Sequence, residues 1–257
     1  MNAQQQYIAF STIVRKEIRR FTRIWVQTLI PPVITMALYF VIFGNLIGSR
    51  IGDMGGFDYM SFVVPGLIMM AVINNSYSNV VSSFYSAKFT KSIEELQVSP
   101  TPNYIILAGY VCGGSLRGLL VGGIVTCISL FFTDLQIHNP LVTITVILLT
   151  AILFSIAGMI NAIFANSFDD ISIIPTFVLT PMTYLGGVFY SISLLSDFWQ
   201  GVSKLNPILY MVNAFRYGIL GVSDVSIGGA FFGIITFLVI LLAYSLYLLE
   251  YGKKLRS

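Results

Sequence analysis

The chain has 257 residues, of which 56% are apolar and only 10% charged, with a net charge of +3. Together with a mean hydropathy of +0.84, this excludes an ordinary soluble domain, whose charges would be scattered over its surface. Here they are bunched between long uncharged stretches, so the solvent is a lipid bilayer, and no nucleic-acid partner is expected.

Near the amino terminus, Phe10, Val14, Ile18, Phe21 and Trp25 recur at three- and four-residue spacing, while Arg15, Lys16, Arg19, Arg20 and Arg23 occupy the other face. The spacing predicts an amphipathic helix over residues 8–23, lying in the cytoplasmic interface with its arginines toward anionic membrane lipids. Such a helix serves as an anchor or as a dock for a partner. It is not a secretory signal, because the apolar run behind it is too long and no small-residue cleavage site follows.

Runs without Asp, Glu, Lys or Arg then extend over Ile24 to Ser49, Tyr59 to Ala87, Leu96 to Leu116, Leu135 to Phe168, Ile171 to Ser196 and Val225 to Leu249. Each is long enough to cross a hydrocarbon layer as a helix, which takes about 20 apolar residues. The period-two alternation of a β-barrel is missing. The expected fold is therefore an all-α polytopic membrane protein, one domain over residues 1–257 with six transmembrane helices. Pro31 and Pro32, Pro65 with Gly66, and Pro175 with Pro181 predict kinks in the first, second and fifth.

Between the second and third runs stands SIEELQVSP, Ser92 to Pro100. Ser92 and Glu95 have the spacing of a capping box, and Pro100 pushes Ser99 out of helical geometry. A helix this short is unstable in water, so it is held by its own spans or by another protein. Further on, Cys112 and Cys127 share one helix at about 22 Å of rise; they cannot pair, and they read as small core residues. Arg117, flanked by Gly113, Gly114, Gly118 and Gly122, sits at membrane depth, where a charge is costly unless it finds partners or snorkels. An interhelix partner, a contact with substrate in the pathway, and snorkelling all stay open.

His138 has no second histidine or cysteine nearby, so a metal site is not expected there. Asp169 and Asp170 stand at the start of the fifth run, where carboxylates cap a helix and suit its dipole. In NPILYMVNAFRYGILG, Asn206 is the N-cap and Pro207 the first helical residue. Whether this helix crosses the membrane depends on the basic residues. Arg15, Lys16, Arg19, Arg20, Arg23, Lys88, Lys91, Lys253, Lys254 and Arg256 fall on one side, against Arg50, Lys204 and Arg216 on the other. The positive-inside rule then places both termini in the cytoplasm, which requires an even number of crossings. Residues 191–220 are accordingly expected to dip back as two short re-entrant outer helices, residues 198–205 and 207–220.

The segment SIEELQVSPTPNYIILAGY resembles the coupling segment after the second span of ABC-2 type transporter permeases. PTFVLTPMTYLGGVFYSISLLSDFWQGVSKLNPILYMVNAFRYG is similar to that family's signature around the fifth span and its re-entrant outer helices. With the amphipathic start and six spans, the resemblance covers nearly the whole chain and points to the small inner-membrane permeases of Gram-negative bacteria. One departure is visible: members often carry a proline just before the tryptophan of the outer helix, where this chain has Leu195, Ser196, Asp197 and Phe198.

The resemblance implies a half-transporter: two copies pair as a homodimer, and two copies of a separate ABC ATPase subunit each receive a coupling helix in a groove. The residues it assigns to that contact are Ile93, Glu94, Glu95, Leu96, Gln97, Val98, Ser99 and Pro100. No cofactor is expected on this chain, with ATP and Mg bound by the partner. The sequence agrees, since GNLIGSR from Gly44 to Arg50 has the wrong spacing for a P-loop and lacks its lysine. The chain is thus expected to be no enzyme but the permease of an exporter for an amphipathic, lipid-linked or glycan-type compound in the bacterial inner membrane. The alternative is an ATP-independent channel or secondary carrier, in which the short helix serves self-association.

Overall fold

In the computed structural model, which describes residues 1–252, the first helix, α1 (Ala3–Arg23), begins five residues before the expected one. Asn2 caps it reciprocally: the Gln5 amide donates to Asn2 Oδ1 at 2.9 Å, and the Asn2 amide donates to Gln5 Oε1 at 3.0 Å. The opening turns are polar and carry no apolar period, so only the cap marks their start. Lys253, Lys254 and Arg256, counted above toward the cytoplasmic side, lie outside the described residues.

Ile24 leaves helical geometry, and α2 (Trp25–Tyr39) then continues through π-helical turns (Phe40–Gly48) into the single turn α3 (Ser49–Ile51). A small antiparallel hairpin follows, β1 (Asp53–Met54) and β2 (Phe57–Asp58), with Asp53 opposite Asp58. Gly55 and Gly56 turn it at φ of +62° and +83°, a conformation that glycine adopts without steric cost. Asp58 then caps α4 (Tyr59–Phe89) by accepting from the Met60 amide at 3.0 Å. After α4 come α5 (Ser92–Val98), α6 (Asn103–Ser129) and α7 (Pro140–Phe164). The last part comprises α8 (Asp170–Ile174), π-helical turns (Pro175–Leu179), α9 (Thr180–Leu185), α10 (Asp197–Lys204), α11 (Pro207–Leu220) and α12 (Ile227–Tyr251).

Five helices among the described residues are long and apolar enough to cross a membrane: Trp25–Gly44, Tyr59–Phe89, Asn103–Ser129, Pro140–Phe164 and Ile227–Tyr251. The expected fifth span is different. Its continuous helical stretch is only α8 to α9, residues 170–185, which rises about 24 Å against a hydrocarbon core of about 30 Å. Pro175 and Pro181 bracket the π-helical turns, where each removes a backbone donor. Gly187, at φ +71°, then turns the chain away. The other prolines do not interrupt their helices: α2 runs through Pro31 and Pro32, and α4 through Pro65.

Helix α4 is the hub, buried along most of its length between α6 and α7. Small residues allow that approach. A Cβ at Gly158 of α7 would collide with the Tyr77 carbonyl of α4, whereas one at Gly123 of α6 meets nothing within 4 Å. Gly158→Leu should therefore destabilise the bundle by about 1–3 kcal/mol and Gly123→Leu should not, as read by thermal melting of the purified chain in detergent. The packed face of α6 is its glycine face, which corrects the expectation for the cysteines: Cys112 is half-buried and Cys127 exposed, both free.

Candidate functional site

At one end of the bundle, Lys91 takes a left-handed conformation, φ 60°, and turns the chain from α4 into α5. The expected Ser92–Glu95 capping box does not form there. Ser92 lies in the first turn, and its hydroxyl donates back to the Ala87 carbonyl at 3.2 Å because the tight reversal brings it over the end of α4. The reciprocal pattern occurs instead ahead of α8. Asp170 accepts from the Ser167 hydroxyl and from the Asn166 amide, both at 2.8 Å, and the Asp170 amide donates to Ser167 Oγ at 3.1 Å.

The eight residues assigned to partner contact divide by orientation. Ile93 is 1% exposed and packed within its own bundle, so it anchors α5 rather than meeting a partner. Glu94, Leu96, Gln97 and Ser99 are half-buried, while Glu95, Val98 and Pro100 are exposed. Val98 is 88% exposed.

A second tie holds this corner. The Lys88 ammonium donates to the carbonyls of Ile163 and Ala165, both at 2.8 Å, where α7 ends and its carbonyls lack helical partners. Phe168 packs edge-on against Tyr85 at 4.9 Å and Phe89 at 5.2 Å between ring centroids. The α4–α5 corner and the α7–α8 turn are therefore tied together. Lys88→Met should raise amide exchange across residues 88–100 by about tenfold, the factor for one charge-assisted hydrogen bond. Lys88→Arg should restore it, as measured by hydrogen–deuterium exchange in nanodiscs.

The face that α1 turns onto the bundle was not singled out by the spacing of its apolar residues. Ile13, Glu17 and Phe21 are buried, and Trp25 is exposed. Gly109 and Gly113 of α6 lie under Ile13 and Glu17, where any Cβ would collide. Glu17 accepts from the Ser83 hydroxyl at 2.6 Å and faces Arg20 Nε at 3.5 Å. Arg20 Nη2 donates to the Asn79 carbonyl and to Asn79 Oδ1, both at 2.7 Å. The Lys16 ammonium reaches the Tyr110 hydroxyl at 3.3 Å. Sequence reasoning missed Glu17, although a lone carboxylate among five basic residues on this helix is the signal that marks it.

Arg117 stands where α2, α4 and α6 meet. Its Nη2 donates to Asn75 Oδ1 at 3.3 Å and approaches the Thr28 carbonyl at 3.5 Å. Arg117 thus lies within α6, as expected, and the helix runs on to Ser129.

At the hairpin end, Asn206 caps α11 as predicted, accepting from the Ile208 amide at 3.0 Å, and its own amide group donates to the Met182 carbonyl at 2.6 Å. Arg216, counted above among the charges of the other side, is fully buried within α11. Its Nε donates to the Phe62 carbonyl at 3.2 Å, Nη2 donates to the Gly187 carbonyl at 2.6 Å, and the guanidinium lies 3.9 Å from the centre of the Phe62 ring. Asp224 ties the loop after α11 to the loop before α10, accepting from the Ser191 hydroxyl at 2.6 Å and the Ile192 amide at 3.1 Å.

A hub-and-shell bundle of long apolar helices, with a firmly held corner helix at one end and a folded-over helix pair at the other, defines a polytopic helical membrane protein. The chain belongs to the ABC-2 type transporter family, whose model matches residues 8–220. It is 59% identical over 251 residues to the inner membrane transport permease YadH of Escherichia coli (strain K12), covering 98% of each chain. More distant similarity extends to nodulation protein J of Neorhizobium galegae, 22% identical over 72% of this chain and 71% of that protein. The protein of the same name from Sinorhizobium fredii is 23% identical over 68% and 67%, respectively.

Proposed function

We propose that this chain is the membrane-spanning permease subunit of an ATP-binding cassette exporter in the bacterial inner membrane. It works as a homodimer driven by two copies of a separate ABC ATPase that binds ATP and Mg. The cargo is an amphipathic, lipid-linked or glycan-type compound. In this reading α8 to α9 completes a sixth crossing, both termini are cytoplasmic, α1 lies against the inner-leaflet lipids, and the hairpin end faces outward.

The observation that carries the reading is α5. It is fastened to the bundle through Ile93 and the Lys88 corner, yet presents Glu95, Val98 and Pro100 to solvent. A helix held so firmly on one side and left bare on the other transmits force from something seated on it. Nucleotide-driven approach of the two ATPase subunits then pushes the α4–α7 block, rocks the protomers and opens their seam outward.

Purification from native membranes should retain a P-loop ATPase in equal amount, with a particle mass matching two copies of each chain. Passage of solutes through proteoliposomes holding this chain alone, without nucleotide, would instead support the channel or carrier alternative.

A further inference from the structure

An open groove of about 710 Å³ beside the second half of α1 is lined by Lys16, Arg19, Arg20, Thr22 and Arg23. That size suits a small ligand or a headgroup, within roughly 300–1,000 Å³. Of its four cations, Arg20 alone faces a carboxylate among the described residues, that of Glu17. Lys16 reaches a neutral partner, the Tyr110 hydroxyl, which leaves its charge unbalanced. Arg19 and Arg23 are exposed and have no acceptor among the described residues. Three of the four positive charges are therefore uncompensated.

Such a surplus calls for an anion, and the spread of the cations says how large. Lys16 and Arg23 are seven residues apart, about 10.5 Å of helix rise, which is more than one phosphate group bridges. Two phosphates on one molecule, each a singly charged diester, meet cations on successive turns. Each arginine offers such a phosphate a fork of paired donors. The surface just past the groove shows what else the molecule contains. Helical geometry breaks at Ile24, and Trp25, Val26 and Ile30 then stand exposed at the start of the first long apolar helix. Cations that end one helix and a bare apolar ridge that begins the next fit an anionic head joined to hydrocarbon tails.

We infer that this groove is a specific site for a resident phospholipid carrying two phosphates in one headgroup, bound once per chain. It differs from general attraction of α1 to anionic lipid, because it requires particular arginines and linked phosphates. The inference rests on the proposed function only for the placement of α1 at the inner leaflet. Binding is measured without ATPase or nucleotide, so loss of the lipid site and loss of the ATPase partner are seen separately.

Trp25, two residues past Arg23, reports occupancy, and the second of the chain's two tryptophans is removed by Trp199→Phe. That full chain is placed in phosphatidylethanolamine nanodiscs with brominated-chain cardiolipin, or with twice the mole fraction of brominated phosphatidylglycerol, so that total charge is equal. Quenching of Trp25 by cardiolipin should saturate at one lipid per chain. Its half-saturation should come at least about fivefold earlier than with phosphatidylglycerol, the factor for one further cation–phosphate contact. Arg19→Gln and Arg23→Gln should each weaken cardiolipin binding about fivefold. Arg15→Gln removes an equal charge from the same helix outside the groove and should leave binding unchanged. All three positions are exposed, and unchanged melting verifies the fold. Quenching without saturation, equal quenching by both lipids, or equal weakening by Arg15→Gln would reduce the groove to general surface attraction and overturn the assignment. Displacement of the cardiolipin by inorganic pyrophosphate at constant ionic strength would also overturn it, in favour of a soluble diphosphate.

Discussion

Val98→Asp should release the proposed ATPase partner by at least about tenfold, equivalent to ~1.4 kcal/mol, while leaving the permease folded. Val98 is the most exposed apolar side chain of α5, at 88%, and its replacement removes no packing from the permease itself. In a complex it would bury a carboxylate where an apolar surface had been, without a counter-charge. Ile93→Asp makes a less informative variant, because Ile93 is inside the bundle and its loss unseats α5. The measurement is the amount of ATPase co-purified from membranes, alongside thermal melting of the permease. Full retention of the ATPase by Val98→Asp with unchanged melting would move the contact away from α5.

The second large effect is expected at Glu17. Glu17→Ala takes away the carboxylate that faces Arg20, leaving a half-buried guanidinium whose acceptors among the described residues are Asn79 and Ser82. Breaking a buried pair from one side costs about 3–5 kcal/mol, whereas replacing both members with apolar residues of similar size is often nearly neutral. The double variant Glu17→Met with Arg20→Met should therefore recover most of the melting temperature lost in Glu17→Ala. Amide exchange over residues 3–23 should rise in the single variant and return toward the native rate in the double one. Equal losses in both variants would show that the arginine's bonds to Asn79, not the ion pair, hold α1 to the bundle.

Several features of the fold were legible because they depend on neighbours within a few residues. The cap at Asn206 followed by Pro207, the existence of α5 and its end at Ser99, and five of the long apolar helices follow from local chemistry and from the length a bilayer requires. The capping box at Ser92 was misplaced for the same reason, since the motif's spacing is local but the left-handed turn at Lys91 is set by how α4 meets the bundle. The fifth run shows the limit of composition. It is as free of charged residues as its neighbours, yet its prolines and the turn at Gly187 divide it.

By itself, then, the chain's sequence determined the solvent, the helical class and the presence of a short exposed helix at α5, because hydropathy and helix-end chemistry act over one turn or one span. Only tertiary structure decided which side of α1 faces inward and where the charges go. Glu17 is accepted because Gly113 of another helix makes room for it. Arg216 is buried because its acceptors, at Phe62 and Gly187, come from 154 and 29 residues away. The cost of a buried charge depends on the partners brought to it, and those partners come together only when the helices pack.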